Sequence, residues 1–341
     1  MGMSESAYAA AGVDIAAASL AKEMMRDAVR ATFGPEVLSD VGSFGGLYDA
    51  AGLKAMSAPV LVASTDGVGT KTQVAARLDR WETIGHDLVN HCANDILVQG
   101  ARPLFFLDYI AAARLNPAQV ALVVTGVAAA CRALGCALLG GETAEMPGVY
   151  EPGALDLAGT IVGVVDRAAL IDGSRIRQSD TILGLPSSGL HTNGYSLARR
   201  VLAELDWDAP RDDLGGATVG EALLLPHQPY VAEIAALRAE GLDVRGLSHI
   251  TGGGLVDNPP RVFPAGLGAR LWRGSWPEPP IFGLIQSVGG IDPAEMVHVF
   301  NMGLGMLVIV PAEQAAAAQA LVPELNVVGE MVAGPAEVHI D

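Results

Sequence analysis

Val60-Leu-Val-Ala-Ser-Thr-Asp-Gly-Val-Gly-Thr-Lys71 is the stretch on which the fold turns. Its first half is β-branched and apolar, so Val60–Ser64 reads as a short strand. Its second half breaks into a glycine turn carrying an acid and a lysine. Gly67 and Gly69 let the backbone approach an anion closely, and Lys71 supplies a positive point charge. Asp66 sits where a carboxylate takes a metal ion bridging phosphates. A strand-ending turn with a solvent lysine is an equally good reading. Thr70 separates Gly69 from Lys71, so the stretch is not a Walker A loop.

Working outward, a helix is expected from Ser19 to Phe33 and another from Thr83 to Gln99. A strand follows at Pro103–Asp108. Asn116 and Pro117 stand as N-cap and first helical residue of a valine-rich helix reaching Cys131, too short for a membrane span. Cys136–Glu142 and Leu157–Val165 read as strands, and Asp172-Gly173 marks a turn between two halves. Beyond it come a strand at Thr181–Leu185, helices at Ser196–Glu204 and Tyr230–Glu240, and a strand at Gly305–Val310. Pro277-Glu-Pro-Pro280 reads as an exposed loop. Mixed strands and helices in both halves indicate an α/β or α+β protein of two domains.

The chain has 341 residues, half of them apolar, and a formal charge of −17. That length and composition suit two packed domains. Such an acidic surface argues against nucleic acid and anionic membrane as partners, because both need Lys and Arg to neutralise phosphates. Three cysteines without a Cys-x-x-Cys pair fit a reducing compartment. No basic, apolar leader is seen at the start, so a cytoplasmic location is expected.

Asp87, His91 and Asp95 share one helical face, where they hold magnesium or, in the favoured reading, simply face solvent. Gly140-Gly-Glu-Thr-Ala-Glu-Met-Pro-Gly148 places two acids in a glycine turn after a buried strand: a metal or nucleotide contact, or a turn leading to a helix cap. Ser187-Ser-Gly-Leu-His-Thr-Asn-Gly-Tyr195 crowds hydroxyls, imidazole and amide into one loop suited to anion binding, with His191 as acid or base. His249-Ile-Thr-Gly-Gly-Gly254 is a second phosphate cradle or a hinge. Asn301-Met-Gly-Leu-Gly-Met306 reads as close packing within a strand. Dinucleotide and nucleophile-elbow fingerprints are missing.

These motifs, preceded by Ala11-Gly-Val-Asp-Ile15 and including Asn94-Asp95 and Pro103-Leu-Phe-Phe-Leu-Asp-Tyr109, resemble in their order the phosphoribosylformylglycinamidine cyclo-ligase (aminoimidazole ribonucleotide synthetase) family from about Tyr8 to Gly329. The resemblance implies an α+β fold. Residues 1–168 would form an ATP-binding and dimerisation domain with a mixed or antiparallel sheet that joins its copy in a barrel-like core. Residues 169–341 would form an α/β-type domain for substrate and phosphate. It further implies a homodimer that uses ATP and Mg²⁺ to convert formylglycinamidine ribonucleotide into aminoimidazole ribonucleotide.

On the same resemblance, Asp66, Asp95 and Glu142 hold Mg²⁺, and Lys71 neutralises the transferred phosphoryl group. His191 moves a proton and Asn193 orients substrate. Asp14, Gly67, Gly69, Asn94, Gly141 and Thr251 contact nucleotide, while Gly252, Gly253 and Gly254 cradle a phosphate. Two departures stand out. Ala18-Ser19 replaces a glycine–asparagine pair, and Pro226-His-Gln-Pro-Tyr230 replaces the usual Pro-Thr-Arg-Ile-Tyr, removing an arginine contact. Selenophosphate synthetase is set aside because no cysteine precedes Cys92. Thiamine-monophosphate kinase and the hydrogenase-maturation dehydratase resemble the fold but lack this run of motifs. A non-catalytic ATP-binding regulator is the reading from another class, opposed by the retained Lys71, Asp66, Asp95, Glu142 and His191.

Overall fold

The computed structural model describes residues 15–341, so Asp14 and the rest of the Ala11–Asp14 motif lie outside the described residues. The chain divides into two compact units: 1–92 with 103–166, and 93–102 with 167–341.

In the first unit the strands are β1 (Pro59–Gly67), β2 (Arg102–Ala112), β3 (Ala137–Glu145) and β4 (Leu155–Asp166), ordered β1-β4-β2-β3. β1 and β4 run antiparallel and β2 and β3 parallel, so the sheet is mixed, as expected. Along β4, Leu155, Leu157 and Ile161 alternate inward, the period-two pattern of a strand with one covered face. The helices are α1 (Ile15–Arg30), α2 (Thr72–Leu78), α3 (Ile84–Leu97) and α4 (Pro117–Ala133). The start of α4 follows from its residues: Asn116 Oδ1 accepts from the Ala118 and Gln119 amides, and Pro117 fills the first turn. A Cβ on Gly85 would lie 2.2 Å from Val123 O, and one on Gly126 would lie 2.9 Å from Glu82 O. Those two glycines let α3 and α4 touch backbone to backbone.

The division passes through α3, leaving Ala93–Leu97 with the second unit. Arg238 explains part of that allegiance, donating to Gly100 O and Ala169 O. The second unit is built on a six-stranded sheet ordered β10-β7-β9-β5-β8-β6. Its strands are β5 (Thr181–Pro186), β6 (Gly246–His249), β7 (Leu267–Leu271), β8 (Leu304–Val310), β9 (Asn326–Ala333) and β10 (Val338–Ile340). Every residue of β8 is buried. All pairings are antiparallel except β7 with β10. The parallel α/β-type sheet expected for this half is therefore corrected to a mostly antiparallel one, in which no two hydrogen-bonded neighbours are consecutive in sequence and long, helix-bearing connections join most of the strands. Helices α5 (Tyr195–Val201), α6 (Val219–Leu224), α7 (Val231–Ala239), α8 (Gly254–Asp257), α9 (Pro280–Gly289), α10 (Pro293–Val299) and α11 (Ala315–Leu321) complete the unit. α7 and α11 pack Ile234, Leu237, Ala315 and Ala318 onto Leu183, Val308 and Val310 of the sheet. Among the described residues no helix is long and apolar enough to cross a membrane.

Candidate active site

In the first unit β1 runs on through Gly67, and a single 3-10 turn, Gly69–Lys71, joins it to α2. Gly69 has φ +59°, the left-handed conformation that favours glycine. Asp66 Oδ1 accepts from the Gly67 amide at 2.7 Å, and its Oδ2 lies 2.9 Å from His91 Nε2. The Asp66 side chain stays 46% exposed, so its carboxylate is reachable from solvent.

Lys71 is set away from solvent. Its Nζ lies 2.8 Å from Asp87 Oδ1, and both side chains are fully buried. Burial pulls the ammonium below its ordinary value while Asp87 pulls it back up. Lys71 is not the solvent lysine; its charge balances a carboxylate inside the fold. The solvated face expected on α3 is corrected by the same pair. Asp87, His91 and Asn94 are buried and Asp95 is half-buried, because each finds a polar partner within the protein.

Gly140–Glu145 is also not a turn. β3 continues through it, paired with β2 after a register shift at Phe106/Leu107. Gly141 is required there, since a Cβ would lie 1.8 Å from Asp108 Oδ1. Glu142 is exposed and caps its own neighbour, Oε1 accepting from the Thr143 amide. β1 and β3 are the two edges of the sheet. Three interstrand steps, roughly 14 Å across the sheet, separate the strands that carry Asp66 and Glu142.

In the second unit the Ser187–Tyr195 loop closes over a histidine cluster. Asn301 pins it: Nδ2 donates to Gly189 O, and Oδ1 accepts from Ser187 Oγ and the Gly303 amide. His191 is buried with φ +60°, strained for a residue with a Cβ. Its Nε2 accepts from the Ser188 and Gln228 amides at 3.3 and 3.4 Å. Its ring stacks on His227, with centroids 4.0 Å apart. His227 Nε2 lies 3.0 Å from His249 Nε2, and His249 Nδ1 lies 2.9 Å from Asp95 Oδ1.

Asn94, expected on nucleotide, works inside the fold. Its Oδ1 accepts from the Tyr230 amide, and its Nδ2 donates to Gln228 O and meets His227 Nε2 at 3.1 Å. Burial pushes the Tyr230 phenol well above its ordinary value, and its hydroxyl donates to Pro186 O.

Thr251–Gly254 forms a tight turn held by Asn258, whose Oδ1 accepts from the Thr251 amide and whose Nδ2 donates to Gly252 O. Gly252 is exposed and stands against Asn193, so the two polar loops meet there. Gly254 is buried, with room for no Cβ beside Val297 O, which makes it a packing glycine.

Spacing in the sequence gave no sign of the cluster around His227. Asn94 and His227 are 133 positions apart, and His227 and His249 are 22 apart. The one signal was the departure at residues 227–229.

The architecture and its loops match one class. The N-terminal domain of AIR synthase related proteins matches residues 48–165, and the C-terminal domain matches 177–341. The phosphoribosylformylglycinamidine cyclo-ligase of Desulfitobacterium hafniense is 51% identical over 90% of this chain and 89% of its own length. That of Gloeobacter violaceus is 52% identical over 92% of each. The chain belongs to the phosphoribosylformylglycinamidine cyclo-ligase family. Among solved structures, thiamine-monophosphate kinase from Stenotrophomonas maltophilia aligns with TM-score 0.67 at 20% identity, covering 93% of this chain and 96% of that one. The hydrogenase maturation protein HypE of E. coli aligns with TM-score 0.65 at 20% identity, covering 95% and 92%. At that identity they share the fold alone.

Proposed function

We propose that this enzyme closes the imidazole ring of aminoimidazole ribonucleotide from formylglycinamidine ribonucleotide, consuming ATP and releasing ADP and phosphate. The observation that carries the reading is the match to cyclo-ligases at 51–52% identity over about nine-tenths of this chain and of theirs. The chemistry needs a phosphoryl donor because an amide oxygen leaves poorly. Phosphorylation of the formamide oxygen lets it depart as phosphate when the amidine nitrogen attacks the formyl carbon, and proton loss then completes the ring.

The exposed Asp66 carboxylate offers hard oxygen donors suited to Mg²⁺, as do Asp95 and Glu142. When bound, Mg²⁺ supplies charge neutralisation on the phosphates of ATP. Asp66 and Glu142 stand on the two edge strands of the first sheet, and with Asp95 they are the carboxylates that would hold Mg²⁺. The homodimer through the N-terminal halves is supported by β1, an edge strand whose Leu61 is 62% exposed. His191 moves the proton, and Asn193 beside Gly252 orients the substrate. Gly252 and Gly253 lie at the phosphate, with Gly67, Gly69, Gly141 and Thr251 toward nucleotide. Lys71, held by Asp87, would neutralise the transferred phosphoryl group. Cytoplasmic work fits three buried cysteines, none of them in a disulfide.

A coupled assay with Mg²⁺-ATP and formylglycinamidine ribonucleotide tests the reading, following ADP and the diazotisable aminoimidazole. Equal amounts of both products are expected, with Asp66→Asn needing more Mg²⁺. ATP hydrolysis without aminoimidazole would overturn the substrate, and an unchanged Mg²⁺ dependence in Asp66→Asn would remove Asp66 from the metal.

A further inference from the structure

His227 and His249 present their Nε2 atoms to each other at 3.0 Å inside the second unit, where both rings are buried. Their outer nitrogens are already assigned by their neighbours. His249 Nδ1 faces the Asp95 carboxylate oxygen, which only accepts, so Nδ1 carries hydrogen. Asn94 is oriented by the Tyr230 amide on its Oδ1 and by Gln228 O on its Nδ2, so it presents N–H to His227 Nε2. His227 Nε2 is therefore an acceptor, and His227 Nδ1 carries hydrogen toward Thr192 Oγ1 at 3.3 Å. The two Nε2 atoms therefore face each other at hydrogen-bond distance, and a cation between them would take the His227 lone pair that now accepts from Asn94.

We propose that His227 and His249, with His191 as third ligand, form a binding site for a divalent transition-metal ion of the zinc class. The ligand atoms of the three histidines all lie within 4.8 Å of one another. Around a tetrahedral ion with Zn–N bonds of about 2.0–2.1 Å, nitrogens stand roughly 3.3 Å apart, so the His227–His249 pair is nearly at coordination distance. The His191 ring, now stacked on His227, turns toward the ion to complete the set. The surroundings are those of a metal-ligating histidine. Asp95 grips the far nitrogen of His249 and Thr192 the far nitrogen of His227, fixing tautomer and orientation. An all-imidazole set selects zinc, nickel, cobalt or copper over magnesium, and Asp95, among the carboxylates proposed for Mg²⁺, borders the site through His249.

The test uses chelator-stripped full-length protein titrated with Co²⁺ as a coloured stand-in, followed by Zn²⁺. One equivalent of Co²⁺ with strong visible absorption is expected, displaced by Zn²⁺ and untouched by millimolar Mg²⁺. His227→Thr leaves the backbone atoms by which Asn94 holds the loop, so the fold should stand. It should weaken Co²⁺ binding by about 100-fold, as should His249→Asn. Replacement of the exposed His298 by Asn should change nothing. Absence of the visible bands, as when a proton alone bridges the two rings, would overturn the site. So would binding of equal strength in wild type and His227→Thr with circular dichroism unchanged.

Discussion

Lys71 Nζ and Asp87 Oδ1 lie 2.8 Å apart, and neither side chain reaches solvent. A buried pair of this kind is far costlier to break on one side than to replace on both, because a lone charge remains without water. Lys71→Met should therefore lose about 3–5 kcal/mol in urea denaturation, and Lys71→Met with Asp87→Leu should recover most of it. If Lys71→Met abolished turnover with stability unchanged, its pairing with Asp87 would contribute nothing to the fold.

Gly305 lies where a side chain would strike the cluster around His191. A Cβ there would sit 1.8 Å from Tyr230 Oη and 2.7 Å from His191 Cε1. Because β8 is buried along its whole length, the strand cannot move aside. Gly305→Ala is expected to cost about 1–3 kcal/mol and to lower turnover by displacing His191. Tyr230→Phe in that background removes the nearest obstructing atom and should return part of the stability, read from thermal unfolding.

Burial pushes the Asp108 carboxyl from 3.8 up to about 7. A carboxyl with a raised folded value holds a proton that the unfolded chain has released. Its contribution to stability is thus fully present below about pH 4 and is lost as pH rises towards 7. Asp108→Asn keeps the shape without the charge. It should match wild type at pH 4 and be more stable at pH 8, by about 1–2 kcal/mol after allowance for partial exposure. Equal melting temperatures at pH 8 would show that the carboxylate is accommodated there.

His191→Ala should lower kcat about 10²- to 10⁴-fold with KM for the ribonucleotide little changed. One limb of the pH–rate profile should disappear. An active variant with an unaltered profile would take proton transfer away from His191.

What could be read from the sequence follows from the range of each signal. Asn116-Pro117 acts within its own turn, so the start of α4 was found to the residue. β1, β2 and β3 were found too, though their ends were set by pairing with neighbours rather than by their own composition. β6, β7, β9 and β10 were missed. β6 is four wholly buried residues without alternation, and β10 is only three residues long. The face of α3 was misjudged because charge usually signals water, whereas here each polar group meets a partner far away in the chain. Asp66 and Glu142 look interchangeable as acids beside glycines; strand order separates them.

Asn94 holds the loop at 228–230 through main-chain atoms, the Gln228 carbonyl and the Tyr230 amide. A grip of that kind leaves the side chains of residues 228 and 229 exchangeable, whereas His227 is held by its ring as well. The loop is a fixed backbone bearing a partly exchangeable face, so a new side chain at 228 or 229 needs no rebuilding of the fold.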